Sequence, residues 1–292
     1  MNTSDFLFTM ARSSRARSAA SQQQCGSVEL RALIKELPSP PRLQRSNLGF
    51  DLIAEIKLRS PATGQLSALV DENLADRARV YAEAGAAAVS VLTEPSRFDG
   101  TIEHLILTAS ALAPLQVPVM RKDFLVDAYQ VLEARAAGAG GVLVILRMLE
   151  RNVISEMIDT ALGENLFILL EAFDENDLIL AKELLEARRS CAQNLLLGIN
   201  CRDLISLQVI PNHLEKMAKY LPQYLPAGIA SVAESGVTCA EDAARMASAG
   251  YDLALVGGAL MSDVQPASLA AAMLTEARKA VAARTVLTRV AH

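Results

Sequence analysis

The chain has 292 residues, of which 51% are hydrophobic and 4% aromatic, and its formal net charge at pH 7 is −5. Its apolar runs stop after roughly four to eight residues, far short of the ~20 needed to span a bilayer, and its acidic balance is opposite to the basic footprint of nucleic-acid-binding proteins. The composition therefore predicts a soluble protein with a large core and with neither a membrane nor a nucleic-acid partner.

Cysteine and histidine usage argues against a disulfide framework and against a zinc site. The four cysteines are far apart in the sequence and form no CxxC pair: Cys25, Cys191, Cys201 and Cys239. Disulfide frameworks are uncommon in so large a core-rich chain, so free thiols in a reducing cytoplasm are expected. None of the three histidines lies in a predicted active site, so acid–base chemistry would fall to lysines and carboxylates.

The N-terminal segment differs in composition from the rest of the chain. MNTSDFLFTMARSSRARSAASQQQ is rich in Ser and Arg and contains a single acid, Asp5. Two interpretations stay open: an organelle transit peptide, or a helix that uses Phe6, Leu7 and Met10 as its apolar contacts. The PSPP run at 38–41 breaks any helix and marks the start of the main domain. We expect a helical extension or lid over residues 1–48 and a catalytic domain over 49–292.

Beyond Phe50, short apolar runs alternate with segments of helical periodicity. The runs are apolar almost throughout, as expected of strands buried on both faces of a parallel sheet. The intervening segments, such as ENLADRARVYAEAGA, carry apolar residues on one side and charges on the other, and several end in Gly. The predicted strands are LIAEIK (52–57), AVSVL (88–92), VPVMRK (117–122), GVLVIL (141–146), LFILLE (166–171), LLLGIN (195–200), IASVAE (229–234) and DLALVG (252–257).

Eight strand–helix units spaced by roughly 25 to 35 residues match the length of a (β/α)8 barrel. The alternative is an open, doubly wound sheet, which would usually carry a GxGxxG turn after its first strand. SPATG follows the first strand here. The sequence therefore predicts an α/β protein with a single (β/α)8 TIM barrel and an N-terminal helical extension.

Charged residues collect where the predicted strands end. The first strand carries Glu55 and Lys57, the third ends on Lys122, the fifth on Glu171 and the seventh on Glu234. In such barrels the C-terminal ends of the strands form the active site. Buried charges are costly unless paired, so mutual Lys–Glu pairing for stability is the alternative. Their recurrence at one rim favours an active site.

The last two strands are each followed by a glycine turn and a helix. These turns are SGV at 235–237 and GGA at 257–259. Helix N-termini bind phosphate through free backbone N–H groups, and barrels frequently place phosphate between the seventh and eighth loops. A single Gly-Gly is usually only a tight turn, but the two loops together predict a phosphorylated substrate.

Six blocks in this order resemble the indole-3-glycerol-phosphate synthase family of tryptophan biosynthesis, from Asp51 to about Asp263. That resemblance implies a carbon–carbon (carboxy-) lyase that turns 1-(2-carboxyphenylamino)-1-deoxyribulose 5-phosphate into indole-3-glycerol phosphate, carbon dioxide and water. It implies no metal and no organic cofactor. The blocks are DLIAEIKLRSPATG, SVLTEPSRFDG, VPVMRKDFLVDAYQVLEARAAGA, GINCRDL, VAESGV and LVGGALM.

The resemblance also implies roles. Lys122 would be the principal general acid, and Lys57 would contact the substrate carboxylate and supply a second proton. A lysine beside another cation, or partly desolvated, has a lowered pKa, which would suit it to this work. Glu171 would hold the lysines and share in proton transfer, and Glu55 would be the base in dehydration. Hydroxyl groups of the substrate would meet Asn200 and Glu234.

Further positions follow from the same resemblance. The phosphate side and substrate-binding positions correspond to Ser60, Arg202, Ser235, Gly236, Gly257 and Gly258. For Arg202, bracing of its loop is an equal alternative. The apolar slot for the arene corresponds to Pro61, Phe98, Phe124, Leu143 and Leu204, and ordinary core packing is the alternative for each, above all for Leu143.

Three departures from the family stand out. Gly258 replaces the usual Ser or Thr, which predicts weaker phosphate binding, and Cys201 is interpreted as a small filler instead of a nucleophile. The segment before Pro38 lacks the usual lysine-rich start. Alternatives are a paralogous barrel enzyme on another phosphosugar, with a different acid–base set, or a non-catalytic phosphosugar-binding paralogue. We expect a cytoplasmic monomer or weak homodimer.

Overall fold

A closed barrel of eight parallel strands forms the centre of the protein, as described by a computed structural model over residues 3–60, 64–65, 73–203 and 208–290. The first strand pairs in parallel with both the second and the last, which closes the sheet and excludes the open doubly wound alternative. All eight predicted strands are confirmed, with ends that differ by one or two residues. They are β1 Asp51–Ile56, β2 Ala88–Leu92, β3 Val119–Lys122, β4 Gly141–Ile145, β5 Phe167–Ala172, β6 Leu195–Asn200, β7 Ala230–Glu234 and β8 Leu253–Val256.

Helices surround the barrel and pack on the outer face of its strands. Side chains such as Asn73, Asp127 and Asp174 accept backbone N–H groups at helix starts and so fix where those helices begin. A short antiparallel ladder joins Arg59–Ser60 to Gly64–Gln65. The helices are α1 Thr3–Gln24, α2 Ser27–Glu36, α3 Leu74–Glu83, α4 Pro95–Phe98, α5 Ile102–Leu112, α6 Ala128–Ala136, α7 Arg151–Gly163, α8 Glu175–Glu186, α9 His213–Ala218, α10 Leu221–Tyr224, α11 Ala240–Ala249, α12 Gly258–Ser262 and α13 Pro266–Val290. Segments of 3-10 helix lie at Ala113–Leu115, Leu146–Met148 and Arg189–Asn194.

The strands are buried on both faces, which explains their continuous apolar sequences. In β4, Leu143 belongs to the cluster that fills the barrel, whereas Val142 and Val144 belong to the cluster between the strands and the outer helices. Side chains alternate between the two faces of each strand, so each strand contributes to both apolar clusters. In the described part of the chain, no helix is both long and apolar enough to cross a membrane.

The N-terminal segment forms two helices that dock on the barrel. Leu7 and Met10 of α1 join the apolar cluster inside the barrel, and Phe6 packs against it. The prediction that α1 uses these three contacts is confirmed, so the segment is part of the folded protein. The second helix, α2, buries Leu30 and Ile34 in a separate cluster with residues of α6. No helix spans 38–41, as the PSPP run predicted.

The long C-terminal helix α13 is tied to the first strand by one arginine. Arg278 donates from Nε to the carbonyl of Phe50 at 3.0 Å and from Nη2 to Oδ1 of Asp51 at 3.2 Å. The Asp51 carboxylate also accepts the backbone N–H of Ser46 at 2.9 Å and is nearly buried. Removing the guanidinium would leave a buried carboxylate and a strand carbonyl without this donor.

We predict that Arg278→Met lowers the free energy of unfolding by about 1–3 kcal/mol, because buried acceptors lose their donor. Urea denaturation followed by circular dichroism measures this. The matched control is Lys279→Met, which removes only the exposed i,i+3 pair with Glu276 and is expected to cost less than about 0.5 kcal/mol. Equal effects of the two substitutions would contradict the assigned contact.

Candidate active site

A cavity of about 210 Å³ opens at the C-terminal ends of the barrel strands. It is lined by most of the residues that the sequence assigned to one site. They come from the ends of β1, β3, β5, β6, β7 and β8, from the loops that follow these strands and, for Phe98, from α4 after β2. These residues are Glu55, Lys57, Ser60, Phe98, Lys122, Phe124, Glu171, Asn200, Arg202, Glu234, Ser235, Gly236, Gly257 and Gly258.

Of the other three predicted positions, only Leu143 lies in the described part of the chain, and it does not line the cavity. Leu143 is fully buried in the barrel core, and Ile145, two residues nearer the strand end on the same side, lines the cavity instead. Pro61 and Leu204 lie outside the described residues. The sequence interpretation also missed several lining residues, namely Phe6, Leu92, Asp123, Ile145, Val209 and Thr238.

Two Lys–Glu pairs stand at the cavity floor. Nζ of Lys57 lies 2.7 Å from Oε1 of Glu55, and Nζ of Lys122 lies 3.7 Å from Oε2 of Glu171. The lysine side chains keep 14% and 19% of their surface exposed, whereas the glutamates are nearly buried. The predicted mutual pairing is therefore present, and the same groups face a shared cavity.

Glu234 is the carboxyl group without a cationic partner at this site. Both of its side-chain oxygens are buried and accept no hydrogen bond from the described residues. Gly198 of β6 makes room for it, since a β-carbon there would overlap Oε1 of Glu234. Burial, followed by the nearby charge of Glu171, raises the pKa of Glu234 well above its ordinary value. This environment therefore favours the neutral, protonated form of the carboxyl.

The electrostatics of Lys122 differ from the expectation. Burial lowers the pKa of this ammonium, but the carboxylates of Glu171, Glu55 and Glu234 outweigh burial, and the net shift is upward. The expectation of a lowered pKa is wrong, because carboxylates act on Lys122 more strongly than other cations do. This lysine therefore carries its positive charge at neutral pH.

The pKa of Glu55 is shifted downward. Burial alone would raise its pKa, but the ammonium groups of Lys57 and Lys122 outweigh that effect and hold the pKa below its ordinary value. Glu55 is therefore ionised at neutral pH. The cavity thus combines two lysines and an ionised Glu55 with Glu234, whose environment favours the neutral carboxyl.

Aromatic rings form one wall of the cavity. Phe124 packs 6.3 Å from Phe98 and, edge-on, 5.8 Å from Phe6 of α1, measured between ring centroids. Phe98 ends the short helix α4, which Glu94 caps by accepting the backbone N–H groups of Ser96 and Arg97 at 2.9 and 2.7 Å. A flat apolar group fits against such a wall.

The opposite wall consists of the turns after β6, β7 and β8. Oδ1 of Asn200 accepts the hydroxyl of Ser235 and the backbone N–H of Arg202, each at 3.0 Å. Ser235 and Gly236 both have left-handed φ values, 67° and 71°. A β-carbon at Gly257 would overlap Oε1 of Glu55, whereas one at Gly258 would meet open space.

Among the residues that the structure describes, neither a reactive thiol nor a cluster of possible metal ligands accompanies this cavity. Burial raises the pKa of Cys201 to about 11, which keeps it a neutral thiol, and its Sγ packs beside Gly236. Its interpretation as a small filler fits this placement. Within the described ranges there is no group of three or more His, Cys, Asp or Glu side chains that could hold a metal ion.

Comparison with known proteins identifies related sequences over nearly the whole chain. The family model described as Indole-3-glycerol phosphate synthase matches residues 10–273. The indole-3-glycerol phosphate synthase of a Nocardioides strain is 37% identical over 242 residues, which cover 82% of this chain and 86% of that protein. The Parafrankia protein of the same name is 34% identical over 287 residues, covering 95% and 96%.

Solved structures with the same fold are more distant. The 3-hexulose-6-phosphate synthase of Salmonella typhimurium aligns with a TM-score of 0.54 at 15% identity, covering 80% of this chain and 99% of that one. Thiamine phosphate pyrophosphorylase from Pyrococcus furiosus aligns with a TM-score of 0.53 at 16% identity, covering 80% and 97%. At such identities the likeness shows the fold alone.

The raised pKa of Glu234 predicts a specific pH dependence of stability. A pKa raised in the folded state means that the native protein binds more protons than the unfolded chain at pH values above about 4.3, where glutamate ordinarily titrates. Its contribution therefore lowers the unfolding free energy as pH rises, by up to about 1.4 kcal/mol per pH unit. Glu234→Gln removes this contribution, so the variant should gain stability relative to the wild type as pH rises.

Urea denaturation of both proteins between about pH 5 and pH 7.5 measures this difference, in the window that opens at the ordinary glutamate pKa. The control is Glu186→Gln, a substitution of an exposed glutamate on α8, which should follow the wild-type curve. Parallel curves for the wild type and Glu234→Gln would show that Glu234 is ionised in the native protein.

Proposed function

The chain belongs to the indole-3-glycerol phosphate synthase family, and from this premise we propose how its cavity carries out the family's reaction. The enzyme is a decarboxylating lyase of tryptophan biosynthesis that converts 1-(2-carboxyphenylamino)-1-deoxyribulose 5-phosphate into indole-3-glycerol phosphate, carbon dioxide and water. The observation that carries the assignment of the site is the convergence of two Lys–Glu pairs on one cavity, inside the segment matched by the family.

Lys122 acts as the general acid of ring closure. The ring carbon that bears the carboxylate attacks the substrate ketone, and negative charge develops on the ketone oxygen. A charged ammonium near that oxygen stabilises the charge and then supplies a proton. Two features support the role: Lys122 ends β3 at the cavity, and Glu171, 3.7 Å away, orients its Nζ.

Lys57 and Glu55 act in the later steps of the reaction, the decarboxylation and the dehydration. Lys57 contacts the substrate carboxylate before carbon dioxide leaves, and it contributes a proton when hydroxide departs. Glu55 takes the proton that must be lost on the way to the aromatic indole ring. The contact of 2.7 Å between the pair and the lowered pKa of Glu55 support this assignment, because an ionised carboxylate can accept a proton.

The two walls of the cavity hold the substrate in a bent form. The arene lies against Phe98 and Phe124, which line the cavity on one side. Asn200 and Glu234 bind the sugar-derived hydroxyls. The phosphate binds on the opposite side, near Ser60, Arg202, Ser235, Gly236, Gly257 and Gly258. Holding reacting atoms in contact can contribute roughly 7–11 kcal/mol to rate acceleration, so these walls matter as much as the acids do.

The proposal also covers the domain organisation, the cellular location and the oligomeric state of the protein. Residues 1–48 act as a helical lid on a catalytic barrel domain that spans 49–292. The enzyme works in the cytoplasm, where its four free cysteines would stay reduced. It acts as a monomer or weak homodimer.

We predict that Lys122→Met lowers kcat by about 10²–10⁴-fold, the usual contribution of a general acid, while the substrate still binds. Steady-state assays that follow the fluorescence of the indole product measure this. Lys182→Met is the control, because Lys182 is an exposed lysine on α8 and should retain wild-type kcat. Absence of turnover in the wild-type protein would refute the proposed function.

We predict that Gly258→Ser lowers KM for the phosphorylated substrate roughly threefold to tenfold at unchanged kcat, since a hydroxyl donor gains a charged acceptor. The side chain fits, because a β-carbon at Gly258 meets open space. Gly258→Ala is the matched control, with the same β-carbon and no hydroxyl. An equal KM for the Ser and Ala variants would show that phosphate does not reach this turn.

A further inference from the structure

The face that α1 turns toward the barrel changes character along the helix. Its first half is apolar, with Leu7 and Met10 buried in the barrel cluster. Its second half is polar, with Ser14, Arg17 and Ser18 spaced by three and four residues on the same side. The Ser- and Arg-rich composition of this segment therefore includes a row of side chains that contact the barrel.

This polar row contacts the segment that follows β3. The hydroxyl of Ser18 donates to Oδ2 of Asp127 at 2.6 Å, and Ser14 exchanges hydrogen bonds with the side-chain amide of Gln130. Between them, Arg17 donates from Nη1 and Nη2 to the two oxygens of Asp123, at 2.8 and 2.7 Å. Such two-point contacts fix both distance and orientation.

Asp123 is the residue directly after Lys122, and its carboxylate is fully enclosed. Besides Arg17, it accepts the hydroxyl of Thr93 at 2.7 Å and the backbone N–H of Phe124 at 2.8 Å. Its side chain has no exposed surface, and the residue also lines the cavity. An enclosed carboxylate with this many donors has one available position, so it holds the backbone on either side of it.

Thr93, which holds the Asp123 carboxylate, also contacts the backbone of Lys122. The backbone N–H of Thr93 donates to the carbonyl of Lys122 at 3.0 Å, while the Thr93 hydroxyl holds Asp123. On the other side of Asp123, the ring of Phe124 meets Phe6 of α1 edge-on. Thr93 belongs to the barrel, whereas Arg17 and Phe6 belong to the N-terminal helix.

We propose that Arg17 is a positioning residue for the reaction: through Asp123 it fixes the end of β3 and thereby the position of the Lys122 ammonium group. The inference rests on the proposed role of Lys122 as the general acid. It makes α1 a brace for the acid as well as a cover for the cavity. Neither Arg17 nor Asp123 transfers a proton in this scheme.

The first test compares single variants under saturating substrate. Arg17→Met should lower kcat about tenfold to a hundredfold, because small displacements of a reacting group cost rates of that size. Arg17→Lys, which keeps the charge but not the two-point contact, should recover part of the loss. Arg15→Met on the same helix is the matched control, since Arg15 is exposed. If Arg17 only anchored a lid, KM would rise and kcat would stay at the wild-type value.

The second test asks whether Arg17 acts through Lys122. In the Lys122→Met background, Arg17→Met should change the residual kcat less than twofold, because the group that it positions is gone. A loss that multiplies with that of Lys122→Met would overturn the inference. Near-UV circular dichroism at the assay temperature establishes that each variant is folded, and Arg17→Lys replaces Arg17→Met in both tests if the latter is not.

The outcomes also separate this inference from the proposed function. Full turnover in the Lys122→Met single variant would remove the role of Lys122 as general acid, and with it the proposed function of that residue. Loss of turnover in Lys122→Met combined with wild-type kcat in Arg17→Met would leave that role intact and refute the positioning role alone.

Discussion

Balance of charge inside the mouth of the barrel is the constraint on which the rest of the site depends. Two ammonium groups and three carboxyl groups occupy nearly buried positions where an unpaired charge is costly. The geometry meets this constraint with two Lys–Glu pairs and with a third carboxyl, Glu234, whose burial raises its pKa and so favours its neutral form. Because the pairs also face the cavity, the contacts that make the charges tolerable hold them where a reaction needs them.

The N-terminal helix extends this arrangement beyond the barrel. Its apolar half covers the barrel core, and its polar half reaches the carboxylate next to Lys122. A segment whose composition departs from the rest of the chain is thus joined to the site by buried contacts. The catalytic rim is a composite of barrel strands, which provide the acids, and an added helix, which braces one of them.

Sequence patterns predicted the fold because a β/α barrel has a recognisable pattern. Its strands are continuous apolar runs at regular spacing, and charged residues follow at the strand ends. The sequence also placed Glu55 and Lys57 together at one rim of the barrel. It could not tell Leu143 from Ile145, because both lie on the same side of β4 and only the depth of the cavity separates them. The pKa direction of Lys122 was missed for a related reason. It depends on carboxylates from β1, β5 and β7, and their distances are set by barrel closure.

Gly198 and Gly257 bear on how this barrel could be altered by directed evolution. Each lies where a β-carbon would overlap a glutamate oxygen, Glu234 in one case and Glu55 in the other. A side chain at either position would displace a glutamate of the site, so libraries at these two codons would alter the acid–base groups together with the shape of the cavity. New substrate specificities are therefore more accessible through the aromatic wall, where Phe98 is carried by the short helix α4 and a change of ring size would leave the buried charges in place.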